Sequence, residues 1–113
     1  MDNRNQLPWN PTVERIYNEL QELRQSSRTQ EVVRWILERL RSVDDLAAKL
    51  LLLSELAGEY DLRGDHVTAE QCLRERISLS GNAASSWISL ADHYLYATQD
   101  IAAANLAAQN ALD

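Results

Sequence analysis

LSELAGEY at residues 53–60 and WISLADHY at residues 87–94 lie over one another without a gap. Leu53 falls on Trp87, Leu56 on Leu90, Ala57 on Ala91 and Tyr60 on Tyr94, each pair 34 residues apart. Within each segment the spacing is i, i+3, i+4, i+7, which is one face of a helix. Downstream, Ala69 over Ala103, Leu73 over Ala107 and Ile77 over Ala111 keep the same separation. Seven positions at one offset point to a repeated two-helix unit in preference to an ordinary bundle, and a missed period would misassign the whole architecture.

The large, Leu, small, Tyr spacing and the 34-residue period resemble the tetratricopeptide repeat. The small residue, Ala57 or Ala91, lets two helices approach closely, and Gly64 stands where such repeats turn between their helices. The resemblance implies an all-α fold, a right-handed stack of antiparallel helix hairpins forming an α-solenoid of about six helices. It covers about residues 50 to 113 and departs from the family in places. Thr98 replaces the turn glycine in the second copy, Leu53 replaces the aromatic in the first, and Gly81 stands where the family usually has Pro.

Working back toward the start, Val33, Ile36, Leu37, Leu40 and Val43 keep helical spacing behind a candidate cap at Thr29. Val13, Ile16, Tyr17, Leu20 and Leu23 do so from Thr12 to about Gln25. Residues 12–43 are therefore expected to form a hairpin that caps the stack, followed by repeats at 45–80 and 82–113 in one domain. Residues 1–11, with Pro8 and Pro11, read as a tail in which Trp9 either staples onto the first helix or stays exposed.

Composition fits this reading. Of 113 residues only 3 are Gly and 2 Pro, and 45% are hydrophobic, which favours a helical globular chain. The net charge of −6 sits in the C-terminal part: residues 1–43 carry seven Arg against six acids, and residues 44–113 four bases against eleven. That balance disfavours nucleic acid or an anionic membrane as partner. Arg15, Arg24, Arg28, Arg34, Arg39 and Arg41 keep a nucleic-acid regulator open as an alternative, weakened by interleaved glutamates. The single Cys72 forms no internal disulfide and no signal-like segment opens the chain, so the cytoplasm is the expected location.

In proteins of the resembled family the first helix of each hairpin lines a concave groove. The corresponding positions are Ser54, Glu55, Gly58, Asp61 and Leu62, then Ile88, Ser89, Asp92, Leu95 and Tyr96. The family's clamp for a C-terminal carboxylate uses Lys, Arg and Asn there, since an anion needs fixed donors, and none is present. The groove is expected to suit a basic or apolar peptide or helix of another protein, unless its acids are only a solvated face. A second surface is the uncharged helix from Ile101 to Leu112, where Ala104, Ala108 and Ala111 would form a self-association edge or a seat for a further helix.

His66, His93 and Cys72 lack zinc-ligand spacing, and no phosphate loop or nucleophile motif is present, so neither metal, cofactor nor catalysis is expected. The expected function is a non-catalytic interaction adaptor. A homodimeric scaffold joined through the Ala-rich helix is its competitor.

Overall fold

Side-chain caps punctuate the chain. Asn10, Asp45, Asp65 and Asp100 each accept from the backbone N–H three residues on, from Val13 at 2.9 Å, Ala48 at 2.9 Å, Thr68 at 3.2 Å and Ala103 at 3.1 Å. Each bond satisfies a donor that the first helical turn leaves free. The computed structural model describes residues 9–112, and among these every regular element is helical. The helices are α1 (Pro11–Ser26), α2 (Thr29–Ser42), α3 (Leu46–Leu62), α4 (His66–Leu79), α5 (Ala84–Asp92) and α6 (Ile101–Leu112). None is long and apolar enough to cross a membrane.

The N-terminus of α1 starts earlier than the expected tail allows: Asn10 caps it, Pro11 opens it, and the Asn10 amide also donates to Asp45 at 3.2 Å. Residues 1–8 of that tail lie outside the described residues. Trp9 stacks edge-on against Tyr17 with ring centroids 5.6 Å apart, while keeping much of its surface in solvent. In α2 the cap position is Arg28, without a side-chain bond, and Thr29 is the first helical residue.

Gly64, at φ +81°, ends α3, and Gly81 and Asn82, both at φ +66°, separate α4 from α5. The second copy turns differently. α5 runs directly into a π-helical turn, His93–Thr98, and the left-handed residue is Gln99 at φ +57°, one place beyond Thr98. A π turn accommodates one extra residue in a helix. Its effect is visible in the caps: Asp65 and Asp100 are 35 residues apart, although the first helices of the two units keep the 34-residue offset. In the second helices burial follows neither offset throughout: Cys72 and Ala107 match at 35 residues, Leu73 and Ala107 at 34. Ala69 is buried like Ala104, 35 residues on, whereas Ala103 is half-buried; of the other expected pairs, Leu73 and Ala107 are both buried, and Ile77 is buried with Ala111 half-buried.

Helices α3 and α4 pack closely, as do α5 and α6, while α2 rests on α3 and α4 on α5. α1 touches α2 and α3 over smaller areas. Central α3 contributes Ala48, Leu50, Leu52, Leu53, Leu56 and Ala57 to the core, where Leu20, Ile36 and Leu90 meet it fully buried. Full burial of each such Leu or Ile contributes about 1.5–3 kcal/mol. The Cα radius of gyration, 14.0 Å, is near the ~13 Å of a compact chain this long.

Ala104 does not lie on an edge. With 7% of its surface accessible it is part of the core, whereas Ala108 is exposed and Ala111 half-buried. Helical spacing alone could not orient a stretch that is Ala or Leu on almost every side. The outward face of α6 carries Ile101, Leu106 and Leu112.

Candidate functional site: a groove between α3 and the π turn

α3 and α5 are each held by the helix between them, α4, and a groove of about 620 Å³ opens where they diverge. Seven of the ten positions singled out for the groove line it: Ser54, Gly58, Asp61 and Leu62 from α3, and Ser89, Asp92 and Tyr96 from α5 and its π turn. Glu55 and Leu95 do not line the groove, and neither does Ile88. Glu55 points instead to α1, where Arg24 grips it at 2.5 Å and Glu59 at 2.8 Å. Burial opposes the charge of Arg24, but its hydrogen bonds and attraction to the two glutamates outweigh that and hold its pKa above the ordinary value.

The α5 side of the groove is made largely by the π turn, through His93, Tyr96 and Ala97. One carboxylate organises its depth. Asp61 Oδ1 lies 2.8 Å from His66 Nδ1, and Asp61 Oδ2 lies 2.7 Å from His93 Nδ1. A carboxylate only accepts, so both imidazoles donate through Nδ1, leaving Nε2 of a neutral His93 as an acceptor. That atom is buried without a partner. His93 and His66 were not foreseen as groove residues: Asp61 and His93 stand 32 residues apart, and the bond between them ties α3 to the first residue of the π turn.

Several of the polar groups in the groove are already engaged. Ser54 accepts from Arg76 Nη1, and Ser89 donates to the carbonyl of Ser85 at 3.1 Å. The Arg76 guanidinium, lodged between α3 and α5, has its pKa lowered by burial. Asp92 differs: it is exposed, and among the described residues its side chain has neither hydrogen bond nor ion pair. Leu62 and Tyr96 flank the opening with 80% and 77% of their surfaces accessible. Exposed apolar side chains beside a carboxylate give the opening a mixed apolar and acidic rim.

A second hollow, of about 510 Å³, lies between the N-terminal helices and α3, lined by Arg24, Thr29, Val32 and Glu59 among others. It shares Gly58 and Leu62 with the first, so the two adjoin across α3. Among the described residues no group of three or more His, Cys, Asp or Glu is arranged to hold a metal ion. The chain matches no family model, and comparison with curated proteins and with solved structures gives no match.

Proposed function

We propose that the chain is a non-catalytic interaction module, a tetratricopeptide-like right-handed stack of three hairpins that holds a segment of a partner protein. The observation that carries this reading is the pair of hollows that adjoin across α3, one lined from α1, α2 and α3 and the other from α3, α4, α5 and the π turn, which we read together as one channel. The packing of α2 on α3 and of α4 on α5 supports a stack, because each hairpin then leans on the next in the same way. The lone, buried thiol of Cys72 suits a reducing compartment such as the cytoplasm. The test is a photocrosslinker placed at Tyr96 and, separately, at Arg34 on α2, in cells that make the whole protein. Partner capture from Tyr96 alone is expected. Capture only from Arg34, or from both with equal yield, removes the groove as the interface.

One observation favours a second reading, a homodimer through α6. Ile101, Leu106 and Leu112 are exposed on a helix with no charged residue. Sedimentation equilibrium over a wide concentration range decides it. A dimer that Leu106→Glu dissociates would establish self-association, and a monomer at every concentration would exclude it. Nucleic-acid binding fits less well, since Arg24 is taken by Glu55 and Glu59, and Arg39 lies by Glu19 and over Trp35.

A further inference from the structure

Gly58 sits inside α3, four residues before its end, in helical conformation and exposed to solvent. Glycine is among the poorest residues for a helix interior. Packing does not demand it, because a Cβ built there meets no atom within 4 Å. Nor does backbone geometry, since its φ is not positive. What remains is its place, at the point where the two hollows join. A side chain there would stand in the channel, and its absence leaves the α3 backbone open to close approach.

The charges around that point are lopsided. At the α1 end, Arg24 is balanced by Glu55 and Glu59. The lining between α3 and α5 includes Asp61 and Asp92 and neither Lys nor Arg; the Arg76 guanidinium lies behind Ser54 and is bonded to Ser54 and Ser86. Asp61 is occupied by His66 and His93, which leaves Asp92 as the lining carboxylate without an ion-pair partner among the described residues. Beside it stand Leu62 and Tyr96, both largely in solvent.

We infer that the channel takes a polypeptide segment of a partner protein whose basic side chain meets Asp92, whose large apolar side chain covers Leu62 and Tyr96, and whose backbone crosses α3 at Gly58. The inference rests on the interaction-module reading and gives it a ligand chemistry. A polypeptide suits the site better than a small molecule, because two open hollows on either side of α3 enclose nothing but offer a track. The basic end is set by Asp92, and the net charge of −6 draws such a segment in. An acidic segment meets repulsion at the same place.

The test begins with a phage-displayed random-peptide library selected on the immobilised full chain, followed by fluorescence anisotropy of a selected synthetic peptide. Enriched peptides are expected to pair Lys or Arg with a neighbouring large apolar residue. Their Kd is expected to weaken about ten-fold in Asp92→Lys, where attraction becomes repulsion. Gly58→Leu, which fills the channel, is expected to weaken it comparably, and Leu106→Ser on α6 to leave it unchanged. Thermal melts are expected to show the Gly58→Leu protein folded, since a Cβ at that exposed position meets no atom within 4 Å. Peptides enriched without basic residues, or bound as tightly by Gly58→Leu and Asp92→Lys, overturn this inference while the module reading stands. A selection that enriches nothing removes both. A concentration-dependent dimer of the wild type that Asp92→Lys breaks would make the occupant a second copy and overturn the partner segment.

Discussion

Asp61 and His93 are joined across 32 residues of chain, carboxylate Oδ2 to imidazole Nδ1, at 2.7 Å. With the companion bond to His66 this fastens the end of α3 to the start of α4 and to the π turn. His93 is almost wholly buried and His66 is partly in solvent, so the two bonds are unequal. Loss of the carboxylate strands a buried imidazole nitrogen beside one that already lacks a partner.

Asp61→Ala is therefore expected to lower stability by about 1–3 kcal/mol, the cost of leaving a buried donor unmade. His66→Ala, at a half-exposed site, is expected to cost less than about 1 kcal/mol. Urea denaturation of the two variants measures both. Equal small losses would mean that the buried bond contributes nothing.

The two alanines of α6 separate core from surface. Ala104→Glu puts a charge into the packed contact with α5 and is expected to cost about 3 kcal/mol or more, or to prevent folding. Ala108→Glu, on the exposed face, is expected to stay within about 0.5 kcal/mol of wild type. Thermal melts followed by circular dichroism distinguish them, and a tolerated glutamate at Ala104 would contradict the placement of α6.

The helices were legible because their boundaries are written in local chemistry: Asp45, Asp65 and Asp100 cap, and Gly64 and Gly81 turn. Most of the groove was legible too, since a repeat spacing that puts Ala57 and Ala91 inward puts Asp61 and Asp92 near the outside. Glu55 was misplaced because its partner Arg24 lies 31 residues away on a helix that carries no repeat motif. The π turn had no local signature, for nothing in Tyr96, Ala97, Thr98 and Gln99 marks an inserted residue. The one-residue shift of the α6 cap was hidden with it, and His93 was missed because its partner Asp61 lies 32 residues away.

That turn makes its own prediction. Gln99 holds a left-handed conformation, φ +57°, that costs a residue with a Cβ about 1 kcal/mol. Gln99→Gly is expected to stabilise the protein by about 0.5–1 kcal/mol, offset in part by the freer unfolded chain. Gly64→Ala, at φ +81° with open space around it, is expected to destabilise by a similar amount through strain alone. Chemical denaturation reads both signs, and a destabilised Gln99→Gly would argue against the left-handed residue at that place.

Cys72 is buried on α4, and burial first, then the charges of Glu75 and Asp65, push its thiol up to about 11. A thiol in the unfolded chain ionises near about 8.5. Below the lower value both states keep the proton and the stability is fully present. As pH rises from the lower toward the higher value, the unfolded state releases its proton first, and stability falls. Cys72→Ala is expected to flatten that part of the alkaline stability profile. Native protein is also expected to react with a thiol reagent at neutral pH far more slowly than protein in guanidinium. Rapid labelling without denaturant would show the thiol to be accessible.

Gly58 brings stability and binding into opposition. Replacing it with Ala adds a good helix former at an exposed, unobstructed site, which is expected to stabilise by about 0.5–1 kcal/mol. If α3 is bare there only by chance, nothing else changes. If the channel needs the gap, the more stable protein binds its segment more weakly, and Gly58→Leu more weakly still while remaining folded. Melting temperature and peptide affinity measured on the same samples separate the cases. Opposite movement of the two shows that the glycine is kept for access, whereas a stabilised variant with unchanged affinity frees the channel from any role at that position.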